Sequence, residues 1–344
     1  MRFGKKSSMN REEPSLSLVW ETLTGYQRTA VLKAAIELDV FSKIAAGAAT
    51  CEALAMQCQA APRGMRAVLN HLVMDGFLTR DGETYRLSPT AATFLDRSSP
   101  AYLGSAAGFI ASPMILEGFT RLTDAVRRGG SAVPNDATLA PEHPVWVEFA
   151  RSMAPLASMT AVLLANLLDI EHAPACKVLD IAAGHGMFGI TLARLHSGVQ
   201  VTALDWQNVL AVADEHARAA GVADRFHTLP GSALEVPFGD GYDLVLLPNF
   251  LHHFDAPTCE RLLAKSRGAL VPGGRVVIVE FVPNDDRSGP ADAVRFGLVM
   301  LAGTPAGDAY TFAEYQTMLR NAGFEPPALH ELPPSPARVV IATC

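Results

Sequence analysis

The stretch Lys177-Val-Leu-Asp-Ile-Ala-Ala-Gly-His-Gly-Met-Phe-Gly189 decides the fold of this chain. Its first residues, up to Ile181, have the apolar run of a short buried parallel strand, and from Met187 to Leu195 the apolar spacing becomes that of a helix. Gly184 and Gly186 lie in the turn between them, where backbone N–H groups can meet a ligand without interference from a Cβ atom. The stretch therefore predicts a ligand-binding site on a strand–turn–helix unit.

Two acids at strand ends indicate which ligand this turn holds. The spacing Gly184-x-Gly186-x-x-Gly189 matches a dinucleotide fingerprint, which by itself is a weak signal. Asp180, at the end of the first strand, would repel a pyrophosphate but suits a cationic ligand. Asp205, at the end of the next strand, can accept hydrogen bonds from both hydroxyls of a ribose. S-adenosylmethionine carries a ribose, an ammonium group and a sulfonium but no phosphate, so the two acids predict this cofactor rather than NAD.

The composition is that of a soluble globular protein of two domains or one large one. The 344 residues are 49% hydrophobic and 18% charged, and the formal net charge of -7 gives no reason to expect nucleic acid or an anionic membrane as a partner. The basic start, Met1 to Asn10, lacks the apolar segment of a signal peptide. The uncharged stretch 101–116 is short and broken by glycine and proline, so we expect no membrane span.

The five cysteines are scattered and include no Cys-x-x-Cys pair. They indicate reduced thiols, and hence a cytoplasmic protein, rather than a disulfide framework or a metal site.

Residues 15–100, after a lead at 1–14 that we expect to be disordered, are predicted to form a winged helix. The expected elements are amphipathic helices within Trp20–Ala46, helices at Cys51–Cys58 and Arg63–Met74, and a β-hairpin at 77–87 with its turn at Asp81-Gly82. The arginines of this region are balanced by as many acids, so it lacks the basic surface of a DNA reader. We therefore expect a dimerisation domain.

The rest of the chain is predicted to contain a helical connector, 101–170, and an α/β domain, 171–344. The expected strands are 177–182, 200–205, 226–230, 242–248 and 275–282, and the expected helices are 186–196, 208–220, 256–270 and 311–322. Two closing strands, Ala328–Leu332 and Arg338–Thr343, have no helix between them and so cannot be parallel neighbours joined by a crossover. An antiparallel last strand is expected, which a standard dinucleotide-binding fold lacks.

Further candidate cofactor contacts lie where later strands end, at the carboxyl edge of the sheet. Gly231-Ser232-Ala233 follows the third strand, and Ser232 could bind the adenine while Trp206 stacks on it. Asn249 follows the fourth strand. After it comes Phe250-Leu-His-His-Phe-Asp255, in which Asp255 is expected to cap a helix.

Four motifs behind a winged helix resemble the S-adenosylmethionine-dependent small-molecule O-methyltransferases. They are Leu-Asp-Ile-Ala-Ala-Gly-His-Gly from Leu179, Leu-Asp-Trp from Leu204, Leu-His-His-Phe-Asp from Leu251 and Val-Pro-Gly-Gly from Val271. The family includes plant phenylpropanoid enzymes and bacterial tailoring enzymes of polyketide, phenazine and pigment pathways, and the resemblance covers roughly residues 15–344. It implies a class I methyltransferase, Rossmann-like sheet. It also implies a homodimer in which the winged helix closes part of the partner's pocket for a small-molecule acceptor.

The resemblance also implies roles for individual residues. Asp180, Gly184 and Gly186 would hold the methionine part of the cofactor, Asp205 the ribose, Ser232-Ala233 the adenine edge, and His252 would be the general base. Residues similar to the family's pocket wall are Phe149, Met153, Phe296 and Met300.

The chain departs from the family pattern at three positions. His253 stands where an acid usually follows the base, Ala182 replaces the first glycine of the loop, and Ser232 stands where an acid is common. For the acidic partner of the base, Asp308 is the candidate.

Three other functions compete with O-methylation. Adjacent His252 and His253 could include a metal ligand of a C-methyltransferase acting on an α-keto acid, although no third ligand is fixed by spacing, so we expect no metal. The glycine spacing alone would suit an NAD-dependent oxidoreductase, and the winged helix a DNA-binding regulator. We expect transfer of a methyl group to a hydroxyl of a small, aromatic secondary metabolite, because a held donor, an aligned acceptor and a base supply what in-line displacement needs.

Overall fold

The computed structural model of the 344-residue chain describes residues 14–133, 142–170 and 175–344. These residues divide into two compact units, one ending at Gly104 and the other running from Ser105 to Cys344. The structure therefore groups the expected connector, except for its first residues, with the α/β part of the chain. The lead at 1–14 lies, apart from Pro14, outside the described residues.

The first unit consists of short helices and one hairpin. Its elements are α1 (Leu16–Thr24), α2 (Tyr26–Glu37), α3 (Val40–Ala45), α4 (Cys51–Gln57), α5 (Pro62–Met74), β1 (Leu78–Asp81), β2 (Thr84–Leu87) and α6 (Pro89–Phe94). Helices and hairpin follow the order predicted for a winged helix. None of the α1 residues is buried, although the helix is rich in leucine and carries Trp20.

The hairpin turn differs by one residue from the predicted one. Asp81 pairs with Thr84, so the two turn residues are Gly82 and Glu83 rather than Asp81 and Gly82. Gly82 has a φ of 59°, in the left-handed region that glycine adopts without steric cost, and this fixes it as a turn position.

The second unit begins with helices that precede its sheet. They are α7 (Ala107–Ile110), α8 (Pro113–Thr120), α9 (Leu122–Arg128) and α10 (Pro144–Leu168). Of the described helices, α10 is long and apolar enough to cross a membrane by length and composition alone. Its buried Leu164 and Leu168 belong to the main apolar core, and the core helix of a globular protein passes the same test. In the uncharged stretch 101–116 the helices are short, and Ile110 and Leu116 are exposed.

A seven-stranded sheet forms the centre of the second unit, in the order β5-β4-β3-β6-β7-β9-β8. Its strands are β3 (Cys176–Ile181), β4 (Val199–Asp205), β5 (Phe226–Pro230), β6 (Tyr242–Pro248), β7 (Leu270–Glu280), β8 (Ala328–Glu331) and β9 (Arg338–Thr343). The helices that follow α10 are α11 (Met187–Leu195), α12 (Gln207–Ala219), α13 (Ala256–Ala269), α14 (Ala291–Gly303) and α15 (Phe312–Asn321).

The strand directions confirm the predicted class of fold. Strands β3 to β7 are parallel, β9 runs antiparallel to β7, and β8 pairs antiparallel with β9. Strand β7 begins earlier than predicted, because Leu270 already pairs with Tyr242 before a register shift. The sheet is thus a class I methyltransferase arrangement, with an antiparallel strand inserted beside the parallel ones.

Apolar cores cover both faces of the sheet. Side chains alternate along each strand, so Val178 faces one core and Leu179 the other. Helices α10, α11 and α12 pack on the first face, and α13 and α15 on the second. Because β3, β4, β6 and β7 are parallel neighbours, their carboxyl ends meet at one edge, and this edge carries the candidate site.

Candidate active site

Asp180 is the penultimate residue of β3 and is fully buried. Its Oδ2 accepts a hydrogen bond of 3.1 Å from the Gly189 N–H, but its Oδ1 has no partner among the described residues. Burial raises the pKa of Asp180 to about 7 against the lowering effect of the Gly189 bond, and the nearby Asp205 adds to the rise. A buried carboxyl with a free oxygen is suited to a cationic ligand, which would favour its ionised form.

Asp205 ties the end of β4 to the glycine turn. Its Oδ2 accepts a 2.8 Å hydrogen bond from the Gly184 N–H and its Oδ1 one of 2.7 Å from the Trp206 N–H. Burial raises its pKa to about 6. Since an ionised carboxylate offers about four acceptor positions, Asp205 keeps capacity for a second set of donors such as ribose hydroxyls.

The turn between β3 and α11 requires residues without bulk. Gly184 and Gly186 have φ values of 57° and 74°, and Ala182, which replaces the family's first glycine, is also left-handed at 53°. A Cβ on Gly189 would lie 2.6 Å from the Cγ1 of Val201, so α11 could not pack as closely on β4. The third glycine of the spacing therefore serves helix–strand packing.

The remaining candidate cofactor residues lie at the same edge. The Gly231 N–H donates to the Asp205 carbonyl over 2.9 Å, and the Ser232 hydroxyl accepts from the Leu234 N–H, so Ser232 opens a turn. Ala233 is buried, and Trp206 packs against a small buried cluster of Ala150, Val209 and Val212. Asn249 follows β6 in a left-handed conformation, and its N–H donates to the Val279 carbonyl.

His252 forms a buried pair with an acid that the sequence analysis did not single out. The two histidines lie in a short 3-10 helix, Leu251–His253, and His252 Nδ1 is 2.7 Å from Glu280 Oε2. The side chains are 6% and 2% exposed. Glu280 ends β7, and its Oε1 accepts from the N–H groups of Phe250, at 2.9 Å, and His252, at 3.4 Å. The carboxyl group is therefore fixed from both sides.

The structure places Asp308 elsewhere. Asp308 Oδ2 forms a 3.1 Å ion pair with Arg287, which also binds Glu314, and all three side chains are partly exposed. The segment just before Asp308 does approach the histidines, since a Cβ on Gly307 would meet the His252 carbonyl oxygen. Its backbone thus packs against the turn, while its carboxylate is held by Arg287.

His253 lies beside His252, with ring centroids 4.3 Å apart. Its Nδ1 is buried without a hydrogen-bond partner among the described residues. Burial, followed by the neighbouring His252, lowers its pKa well below the ordinary value, so the ring is neutral at neutral pH. In the described ranges 14–133, 142–170 and 175–344, no group of three or more His, Cys, Asp or Glu side chains is arranged to hold a metal ion.

A continuous row of rings connects the histidine pair with the glycine turn. The neighbouring centroids are 4.4 Å apart for Phe281–Phe296, 4.7 Å for Phe296–His252, 4.3 Å for His252–His253, 5.4 Å for His253–Trp146, 5.8 Å for Trp146–Phe149 and 6.0 Å for Phe149–His185. We call this set the ring row. The row runs from Phe281 past the base candidate His252 to His185 in the glycine turn, so it joins the two parts of the candidate site.

Two of the four predicted pocket residues, Phe149 and Phe296, belong to the ring row. Met153 is partly exposed on α10, and Met300 is buried on α14. The sequence analysis missed Trp146, His185 and Glu280. Glu280 carried a usable signal, because it is an acid directly after the apolar run Val276–Val279, as Asp180 and Asp205 are at their strand ends.

Comparison with known proteins gives a consistent result over nearly the whole chain. A family model described as an O-methyltransferase domain matches residues 119–325, and one described as an O-methyltransferase dimerisation domain matches residues 20–97. The 3-hydroxy-5-methyl-1-naphthoate 3-O-methyltransferase of Streptomyces sahachiroi is 32% identical over 310 residues, which cover 89% of each chain.

Solved structures agree with this match. The crystal structure of a provisionally assigned O-methyltransferase from Nostoc punctiforme is 50% identical, with a TM-score of 0.92 over 96% of this chain and 100% of that one. Human N-acetylserotonin methyltransferase, solved in complex with S-adenosylmethionine, shares the fold at a TM-score of 0.83 and 23% identity, over 97% of this chain and 99% of that one.

Proposed function

Because the chain belongs to the O-methyltransferase family, we propose that it methylates the hydroxyl group of an aromatic acceptor with His252 as the general base. The family, together with the structural neighbours solved with the cofactor, makes it an S-adenosylmethionine-dependent O-methyltransferase of secondary metabolites. The observation that carries the proposal is the buried 2.7 Å contact between His252 Nδ1 and Glu280 Oε2, beside the ring row.

The residues at the edge of the sheet fit the cofactor. The free Oδ1 of Asp180 and the glycine turn suit the charged methionine part, and Asp205 suits the ribose. When bound, S-adenosylmethionine supplies an electrophilic methyl group. The full set of residues that we propose for cofactor binding is Asp180, Gly184, Gly186, Asp205, Trp206, Gly231, Ser232, Ala233 and Asn249.

Glu280 gives His252 the tautomer that a base needs. With its Oε1 held by two backbone N–H groups, Glu280 accepts the Nδ1 proton of His252 through Oε2. The lone pair of a neutral ring then lies on Nε2, which can take the proton of the acceptor hydroxyl. Such a base contributes typically ~10²–10⁴-fold to the rate. Glu280 thus takes the orienting role for which Asp308 was the candidate.

The acceptor class follows from the shape and chemistry of the ring row. Flat apolar rings such as those of Trp146, Phe149 and Phe296 favour an aromatic partner, which they can meet edge-on or in offset stacking. The Streptomyces sahachiroi relative acts on a hydroxynaphthoate, an acceptor of this kind. Met153 and Met300 are proposed as further lining residues, since methionine adapts to irregular apolar surfaces.

We also propose a cytoplasmic homodimer, without nucleic acid or membrane as a partner. The match to a dimerisation domain supports it. So does α1, where Leu16, Trp20 and Leu23 are 83%, 67% and 67% exposed, because such apolar surface is rarely left uncovered. In domain terms we assign dimerisation to 15–100, part of the acceptor pocket to 101–170 and catalysis to 171–344.

The test is a product analysis with S-adenosylmethionine carrying a ¹³C-methyl group. The enzyme is incubated with 2-naphthol and 2,3-dihydroxynaphthalene, and the products are examined by carbon NMR. A labelled methyl ether supports the proposal. Label on a ring or side-chain carbon would instead support C-methylation, and no transfer to any phenol would oppose the assignment of an aromatic hydroxyl acceptor.

A further inference from the structure

His253 has a hydrogen-bonding atom that no residue in the described part of the chain uses. Its Nδ1 is buried and unpartnered, although the residue as a whole is partly exposed. A buried polar atom without a partner is unfavourable by about 1–3 kcal/mol, so a protein seldom keeps one unless a partner arrives with a ligand. His252, in contrast, has its Nδ1 fully engaged by Glu280.

The position of His253 places this atom beside the reaction. The centroid of its ring lies 4.3 Å from the ring centroid of His252, the proposed base, and 5.4 Å from that of Trp146. The planes of the His253 and Trp146 rings meet edge-on at 83°. His253 is a member of the ring row, which in the proposed function lines the space of the acceptor. Rotation of an imidazole about its last side-chain bond is soft and roughly two-fold, so Nδ1 can turn toward that space without disturbing the backbone.

The charge state of the ring limits what it can bind. Burial and the neighbouring His252 keep His253 neutral at neutral pH, so it offers one N–H donor and one acceptor rather than a positive charge. Its partner is therefore a neutral or weakly polar group, such as a hydroxyl or a carbonyl, and an ion is not required. Two imidazoles side by side suit two such groups on adjacent carbons, because one can accept the proton to be removed while the other binds its neighbour.

We propose that His253 is a specificity-determining residue, which hydrogen-bonds a second oxygen on the ring carbon next to the methylated hydroxyl. The preferred acceptors are then aromatic hydroxyl compounds with an adjacent hydroxyl or carbonyl oxygen. This inference rests on the proposed function, since it assigns the substrate class of the same site.

The test compares two probes that differ only in the second oxygen, 2,3-dihydroxynaphthalene and 2-naphthol. Their dissociation constants are measured by calorimetry on the full-length enzyme saturated with S-adenosylhomocysteine. The wild type should bind the diol about 5- to 10-fold more tightly, the ratio expected for one neutral hydrogen bond. His253→Phe keeps a ring against Trp146 but has no nitrogen, so the two constants should become nearly equal.

His253→Asn is the matched variant, because its amide places a polar atom close to the Nδ1 position and should restore part of the preference. A preference that persists in His253→Phe would overturn the proposal, as would a wild type that binds both probes equally or neither. If the His253 ring only shaped the wall of the pocket, His253→Phe would weaken the binding of both probes alike and leave their ratio unchanged. Methyl transfer to 2-naphthol by the wild type tests the proposed function separately, since that reaction needs no second oxygen.

Discussion

Replacing Glu280 by glutamine is expected to disable the base without removing it. In the native pair Oε1 of Glu280 accepts from two backbone N–H groups, and Oε2 accepts from His252 Nδ1. The glutamine carbonyl has to face the two backbone donors, which leaves its NH₂ group 2.7 Å from Nδ1. Two donors cannot face each other, so the ring shifts its proton to Nε2 and loses the lone pair that points toward the acceptor.

The size of the effect follows from what is lost. General base catalysis contributes typically ~10²–10⁴-fold, so kcat of Glu280→Gln should fall by about that factor. The backbone contacts survive, and the affinity for S-adenosylmethionine should change by less than about 2-fold. Because both substitutions remove the same function, Glu280→Gln combined with His252→Ala should be no slower than His252→Ala alone.

The assay is a single-turnover measurement of methyl transfer to 2-naphthol with the enzyme saturated with cofactor. The control is Asp308→Asn, which removes a similar charge from the partly exposed ion pair with Arg287 and should change kcat by less than about 3-fold, since such pairs contribute little. If Glu280→Gln retained a third or more of the wild-type rate, or if Asp308→Asn were the slower enzyme, the assignment of Glu280 would be refuted.

Three further predictions concern the cofactor, metals and assembly. Burial raises the pKa of Asp180 to about 7, so between about pH 4 and about pH 7 the free folded enzyme binds more protons than the unfolded chain, and its stability falls as pH rises through this window. A cationic cofactor favours the ionised carboxyl, so calorimetry should show S-adenosylmethionine affinity rising from about pH 5 to about pH 7.5. Because the pKa of Asp205 is also raised, to about 6, Asp180→Asn should keep a weaker slope. A flat profile in the wild type, or a slope of full size in Asp180→Asn, would contradict this. Methyl transfer should survive dialysis against a chelator, whereas activity that disappears and returns with iron or zinc would favour metal-assisted C-methylation. Light scattering should find a dimer at low micromolar concentration, and deletion of residues 1–24, which removes the exposed apolar helix α1, should shift it toward the monomer, with an unchanged mass counting against the role of α1.

The features that the sequence predicted correctly are those that depend on a local pattern of residues. Asp180 and Asp205 could be placed because each ends an apolar strand, and parallel strands bring their ends to one edge. The antiparallel end of the sheet followed from the missing helix between β8 and β9. The hairpin turn was off by one residue, since Asp81 and Gly82 are both good turn formers and only the pairing of Asp81 with Thr84 decides between them.

The contact between Glu280 and His252, the proposed base, depends on strand order instead. Glu280 meets His252 because β7 lies next to β6, which brings the end of one strand against the turn that follows the other. Nothing in the spacing of 28 residues between His252 and Glu280 specifies that neighbourhood. Trp146 likewise reaches His253 from a helix more than 100 residues away. Asp308 was the candidate for this acid, but its carboxylate forms an ion pair with Arg287 instead.

The most direct test of the account is how the defect of His252→Ala depends on the acidity of the acceptor. A base matters only while the acceptor hydroxyl still holds its proton. With 2-naphthol the wild type should exceed His252→Ala by about 10²–10⁴-fold in the rate of methyl transfer. With a nitro-substituted naphthol that is already ionised at the assay pH, the ratio should approach one. An equal ratio for both acceptors would contradict proton removal by His252.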